Sequence, residues 1–358
     1  MALAVAIVLA ACGSSNDNSS SSGSTSGGGS SSGSKKDGKD VHLAIITASS
    51  TQNAFQEMDL GGKSAGSHEG IDLKSAAPNG INPPQEVQLF QAATQTSKDG
   101  IGLMTTAPNL FVRPMAQAVD SGIPVIAIDA APLPGSKVDT FVGNSNTDLG
   151  RNLATKMLEK IPADATGEVV MGNDIPGLPL LEARLNGMKE VIQKERPNLK
   201  ILGPFNVGAE PTDNYNHWNA LVKAHPNAVA YLAPGDQDAV SFNRISKTTG
   251  KKYVVGACDV DPIALQAVQN GNVYALGDPE HWLKGYVAIA LLAQHGKDGK
   301  AIPKGWLNPG SGIVDSSNVA QIIARQKDNN TRYDFYKDTV NKILANPSAY
   351  IKPLDQAD

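Results

Sequence analysis

Cysteine is nearly absent: Cys12 and Cys258 are the only two in 358 residues. Two cysteines allow one bridge at most, so no disulfide framework staples this chain. Cys258 ends the apolar run of "YVVGACDVD" and reads as a small buried hydrophobe rather than a reactive thiol. An excess of positive charge is also lacking. Lys and Arg total 31 against 35 Asp and Glu, a net charge of -4, which excludes a basic footprint for nucleic acid or an anionic membrane surface. Catalytic signatures are missing too: there is no Walker A pattern, no G-x-S-x-G elbow and no H-E-x-x-H. The six histidines are scattered without metal-ligand spacing. The Gly-bearing loops "VGNSNTDLG" and "GSGIVD" do not follow the strand–GxGxxG–helix order of a dinucleotide site. Neither a cofactor nor a metal nor catalysis is expected.

What is present starts with a short apolar run, Leu3 to Ala10, ending in Leu9-Ala10-Ala11-Cys12. The run is far shorter than the roughly 20 residues a bilayer-spanning helix needs. Small residues before a cysteine resemble a bacterial lipobox, so residues 1–12 read as a lipoprotein signal with Cys12 as the lipid-attachment site, although no Lys or Arg precedes the run. Residues 13–39 are mainly Ser and Gly with nothing to bury, and read as a disordered, flexible tether. About 25 such residues reach on the order of 25–30 Å. A domain held by lipid to the outer face of the cell membrane, on the periplasmic or cell-wall side, is the expectation.

From residue 40 onward short β-rich runs alternate with helical segments. Val41–Thr47, Ile101–Thr105 and Ile123–Asp129 read as buried strands, and Gly167–Met171, Ala228–Ala233 and Lys252–Ala257 repeat the pattern later. Continuous apolar strands between helices predict parallel sheets covered on both faces. The fold class is therefore α/β, with two doubly wound lobes. Ligands of such sheets sit beyond the carboxyl ends of the strands. That rule nominates the polar residues closing each strand, among them Asp129, Asn173-Asp174, Asp236, Asp259 and Asp278.

Four segments, taken in order, carry a family likeness: "HLAIITASSTQNAFQ", "GIPVIAID", "AHPNAVAYLAPGDQDAV" and "VVGACDVDP". Together they resemble the periplasmic sugar-binding proteins of ABC importers, in the ribose-binding branch. The resemblance implies type I lobes joined by a three-segment hinge that closes on a ligand. It places residues 40–144 and 279–311 in the N-terminal lobe, and 145–278 and 312–358 in the C-terminal lobe. The helical tail "YDFYKDTVNKILAN" is expected on the second lobe.

The resemblance also carries ligand contacts over by position. Asn53 matches a hydroxyl-binding asparagine and Phe55 a stacking ring, while Gln56 replaces the neighbouring ring. Asp129 matches a strand-end aspartate, followed here by Ala130 in place of an arginine. The second-lobe arginine falls at Glu182, with Arg184 two residues on, and the register between them stays open. Gly235 stands at an asparagine position beside Asp236; Asp259 matches the next aspartate; Asp278 stands where glutamine is common. Trp282 would restore a stacking surface. Plainer roles compete: a helix cap for Asn53, a core position for Phe55 and Trp282, and a turn for Asp278. With Arg184 the one nearby cation in this reading, an acid-rich lining favours a neutral sugar or polyol over an anion, and leaves an amine-bearing ligand open. The expected partners are that solute and an importer permease, with the membrane met through the lipid alone and the protein a monomer. A transcription regulator of the same core would carry a helix-turn-helix where the tether stands. A receptor passing closure to a sensor remains the alternative.

Overall fold

The structure, a computed structural model, describes residues 35–358. The lipobox, Cys12 and residues 13–34 of the expected tether lie outside them. The expected tether ran to residue 39, but Lys36 already belongs to the fold: its N–H donates to Lys297 O at 3.0 Å, and its ammonium pairs with Asp99 at 2.8 Å.

The first lobe begins with β1 (Leu43–Ile46), α1 (Asn53–Glu69), β2 (Lys74–Ala76), α2 (Pro83–Thr96), β3 (Gly100–Leu103), α3 (Pro108–Asp120), β4 (Val125–Ile128) and β5 (Thr140–Val142). The chain then crosses to a second lobe. There it forms α4 (Asn146–Leu158), β6 (Gly167–Asn173), α5 (Pro179–Glu195), β7 (Leu199–Asn206) and α6 (Pro211–Ala224). The same lobe continues through β8 (Ala230–Leu232), α7 (Asp236–Thr249), β9 (Val255–Cys258), α8 (Pro262–Gln269) and β10 (Ala275–Asp278). It returns with α9 (His281–Asp298) and β11 (Gly305–Leu307), and crosses again for β12 (Gly312–Val314) and α10 (Val319–Arg325). A last return brings α11 (Asn329–Ala345) and β13 (Ile351–Lys352) to the first lobe. The sheets run β13-β11-β5-β4-β3-β1-β2 and β12-β10-β9-β8-β6-β7. Among the described residues, only the edge strands β12 and β13 pair antiparallel. The central strands β1, β3, β4, β8 and β9 are buried along their whole length, as strands covered on both faces must be.

The tail corrects the sequence reading. Val319 and Ile322 of α10 do pack in the second lobe's core. Tyr336, Val340 and Ile343 of α11 instead join the first lobe's core, and β13 extends the first sheet. Three crossings were expected, and residues 326–328 make a fourth. The tail's end then reaches back to the second lobe, where the Asp358 carboxylate accepts from the N–H of Asn146 at 2.8 Å and Thr147 at 2.9 Å. Both lie at the start of α4, where backbone donors lack intrahelical partners.

Each lobe seats one helix pair on glycine. A Cβ at Gly61 of α1 would overlap the Trp282 carbonyl, and one at Gly285 of α9 would overlap that of Met58. In the second lobe Gly150 of α4 meets the Arg184 carbonyl and Gly187 of α5 that of Thr147 in the same way. The duplication invisible in the sequence is thus visible as packing. Because the obstructing atoms are backbone, neither helix can yield by a rotamer change. Gly285→Ala is expected to lower stability by about 2–3 kcal/mol, read as a fall in the denaturation midpoint. An unchanged midpoint would show that the helices can separate freely.

Candidate functional site

Strand carboxyl ends from both sheets face one cleft. Asp129 follows β4 and Asp259 follows β9, and both adopt left-handed backbone, with φ of 64° and 70°. That conformation is uncommon outside glycine, and aspartate tolerates it better than most residues. The two lobes therefore offer an aspartate at matching places, each with its N–H held by the neighbouring strand, at Val142 O and Gly277 O.

The lobes touch across the cleft. Gln52 Nε2 donates to Ala209 O at 3.2 Å, His281 Nε2 meets Asp259 Oδ1 at 2.8 Å, and Ala130 packs on Leu178, Leu180 and Leu181. Between them lies a cavity of about 50 Å³. A sugar-sized solute is larger than this, so it can enter and seat only as the lobes part. A roomier groove of about 940 Å³ lies outside, along residues 130–139, α5 and the C-terminal segment. The inner cleft is the better site because three buried polar atoms without partners, from both lobes, line it.

A ring of buried polar groups forms the floor. Lys284, wholly buried, pairs with Asp129 and donates to Asn144 Oδ1 at 3.0 Å. Asn144 Nδ2 reaches Asn146 Oδ1 at 3.3 Å, and Arg184 Nε donates to that same oxygen at 2.9 Å. Arg184 Nη1 donates to Pro234 O at 2.7 Å and lies 3.5 Å from Asp259 Oδ1. His281 closes the ring, with Nδ1 3.9 Å from Asp129 Oδ2. Burial alone would raise the Asp129 pKa, but Lys284, His281 and Arg184 outweigh it and hold the carboxyl at about 2. Asp259, equally buried, is held below the usual carboxylate range by Arg184 and His281.

The second-lobe wall behaves oppositely. Burial, reinforced by nearby carboxylates, pushes Asp174 and Asp236 well above the ordinary range. Asp174 Oδ1, Asp236 Oδ1 and His281 Nδ1 are buried without a hydrogen-bond partner. All three residues line the cleft, and Phe55 supplies a ring beside them.

The family description "Periplasmic binding protein domain" matches residues 43–301, most of the chain. The chain belongs to that family. Among its relatives, the D-allose-binding periplasmic protein of Escherichia coli is 26% identical over 260 residues, which span 69% of this chain and 81% of that protein. The ribose import binding protein of Salmonella typhimurium is 25% identical over 195 residues, 54% of this chain and 64% of that one. Two solved solute-binding proteins share the fold. The one from Agrobacterium vitis bound to α-D-tagatopyranose gives a TM-score of 0.73 at 19% identity, covering 80% of this chain and 98% of its own. The one from Burkholderia graminis with D-arabinose gives 0.72 at 22% identity, covering 79% and 98%. Periplasmic binding proteins are extracytoplasmic solute binders and not enzymes.

Of the residues selected from sequence, this binding protein brings Phe55, Asp129, Arg184, Asp236 and Asp259 to the cleft. Of the Glu182–Arg184 pair, it is Arg184 that lines the cleft. Glu182 Oε1 accepts from Asn173 Nδ2 at 2.8 Å and Gly177 N at 3.1 Å, bracing the loop between β6 and α5, and its side chain borders the outer groove. Asn53 opens α1 half-buried and off the cleft lining; the cap position is Gln52. Gln56 is exposed and donates to Ser50 O at 2.8 Å. Asp278 is engaged at the hinge by Arg325 Nη2 at 2.8 Å and the Glu280 N–H at 3.0 Å. Trp282 lies in the core, stacked on Tyr336 at 5.4 Å, with Nε1 donating to Asn329 at 2.6 Å. Cys258 is buried, and burial pushes its thiol up to about 12.

Arg184 is not the one nearby cation, because Lys284 stands with it, beside His281. Both sit on α9 at a three-residue spacing that points them the same way, the one signal that could have exposed them. Gln52 lies in the Ser49–Gln56 loop that the strand-end rule nominates, but it was not singled out as a contact.

Proposed function

We propose that this protein captures a neutral sugar or polyol between its lobes and delivers it, as a monomer, to the permease of an ABC importer. A lipid on Cys12 would hold it at the outer face of the membrane. The observation that carries this reading is the set of three unpartnered polar atoms, Asp174 Oδ1, Asp236 Oδ1 and His281 Nδ1, drawn from both lobes into one enclosed cleft.

Each favours a hydroxyl. The aspartate oxygens need a donor, while the 3.9 Å gap between His281 Nδ1 and Asp129 Oδ2 suits a group that donates to one side and accepts on the other. A carboxyl that keeps its proton offers one donor and one acceptor oxygen, which a hydroxyl can match in full and an acceptor-only anion only in part. Arg184 is already committed to Asp259, Asn146 and Pro234. Closure removes water, so each hydrogen bond made on capture strengthens as the local dielectric falls. The sugar ligands named for the allose- and ribose-binding relatives support the same class.

A thermal-shift screen of neutral sugars, polyols, amino sugars and sugar acids tests this. Binding to the native state at a hundredfold excess over Kd adds about 2.7 kcal/mol, a shift of roughly 4 °C for a protein of this size. Asp236→Ala is expected to weaken the best ligand by about tenfold to a hundredfold. A response confined to anionic sugars would overturn the reading. Loss of membrane retention in Cys12→Ser would test the anchor separately.

A further inference from the structure

The second-lobe wall contains an exchange of space between two positions far apart in sequence. Gly235 precedes α7 with an extended φ of -117°, so its backbone does not require glycine. The space around it does. A Cβ there would lie no farther than 2.7 Å from Oδ2, Cγ and Oδ1 of Asp174, overlapping the whole carboxyl. The Asp174 carboxyl therefore occupies the volume that a side chain at 235 would otherwise fill. It is 7% exposed, lines the cleft beside Gly235, and keeps Oδ1 without a partner.

The neighbourhood is built to hold that placement. Asp238 accepts from the Gly235 N–H at 3.0 Å through Oδ2, and from Trp218 Nε1 at 2.6 Å and Asn214 Nδ2 at 3.0 Å through Oδ1. Asp238 is thus committed to the scaffold, and it raises the Asp174 pKa in addition to the effect of burial. A carboxyl that keeps its proton presents its carbonyl oxygen as a neutral acceptor.

We propose that Asp174 is a specificity-determining residue of the cleft, reading one hydroxyl of the ligand through Oδ1 from the space that Gly235 leaves free. The inference rests on the sugar or polyol reading above and deepens it. A site built around a hydrogen bond to one hydroxyl rejects an analogue lacking it far more strongly than a loose polar wall does.

The test measures Kd by calorimetry for wild type, Asp174→Asn and Asp174→Ala against D-ribose, D-xylose, D-allose and their monodeoxy analogues. Wild type is expected to lose about a hundredfold for one particular deoxy analogue. In Asp174→Ala that penalty should fall below about threefold, while the penalties at the other hydroxyls persist. Uniform weakening toward every sugar would mean a merely structural role and overturn the proposal while leaving the sugar reading intact. Failure of wild type to bind any sugar or polyol would overturn both. A stability cycle without ligand guards against misfolding: Gly235→Ala should lower Tm in wild type but not in the Asp174→Gly background. Equal losses in both backgrounds would also overturn the proposal.

Discussion

Lys284→Met is expected to destabilise the protein by about 3–5 kcal/mol, because it strands Asp129 as a buried charge without its closest partner. For a chain of this size the midpoint would fall by roughly 4–7 °C. Replacing Asp129 by asparagine in the same chain should recover most of the loss, since a buried pair removed together leaves no unpaired charge. The pH dependence follows from the sign of the shift. Asp129 is held at about 2, below its ordinary 3.8, so its contribution is fully present above 3.8 and is lost as pH falls toward 2. The gap between wild type and Lys284→Met should therefore narrow below pH 4. Denaturant midpoints at pH 7 and pH 3 measure both effects. Equal midpoints at pH 7 would mean that His281 and Arg184 compensate for Asp129 by themselves.

Glu86→Gln is expected to have the opposite sign. Glu86 of α2 is wholly buried; its Oε2 accepts from Thr105 Oγ1 at 3.1 Å, and its Oε1 has no partner. Burial pushes its pKa up to about 8 against an ordinary 4.5, and the Thr105 hydrogen bond only partly opposes this. A raised folded-state pKa gives stability that is full below 4.5 and is lost as pH rises through 8. Glutamine keeps the shape and cannot ionise. The variant should gain roughly 2–4 kcal/mol over wild type at pH 8 and almost nothing at pH 4.5. Denaturation curves across that range would show a sloping wild type and a flatter variant. Parallel curves would mean that Glu86 ionises without cost, through water reaching Oε1.

The alternation of strands and helices was legible because parallel strands buried on both faces must be apolar throughout, and β1, β4 and β9 are. Asp129, Asp236 and Asp259 were legible for a related reason: a charge that closes an apolar run has only the strand end, and so the cleft, to occupy. The same reasoning misplaced Asp278, which also closes a strand. Its carboxylate turns to Arg325, supplied by α10, a segment that no local pattern connects to β10. For Trp282 the competing core role is the one the structure shows, and its partner Asn329 lies 47 positions away, beyond the fourth crossing.

By itself, the sequence determined that this chain folds as two α/β lobes and that strand-end aspartates would meet in a cleft. Both follow from local patterns of burial. Only the tertiary structure decided which of those aspartates are neutralised, which keep an unpartnered oxygen in the cleft and which serve the hinge. Lys284 and Asp129 are 155 positions apart, yet their pairing sets the charge of the cleft floor. Asp174 and Asp236 lack such a cation and stay open. Desolvation and Coulomb attraction depend on distance in space, and those distances exist only once the lobes have packed.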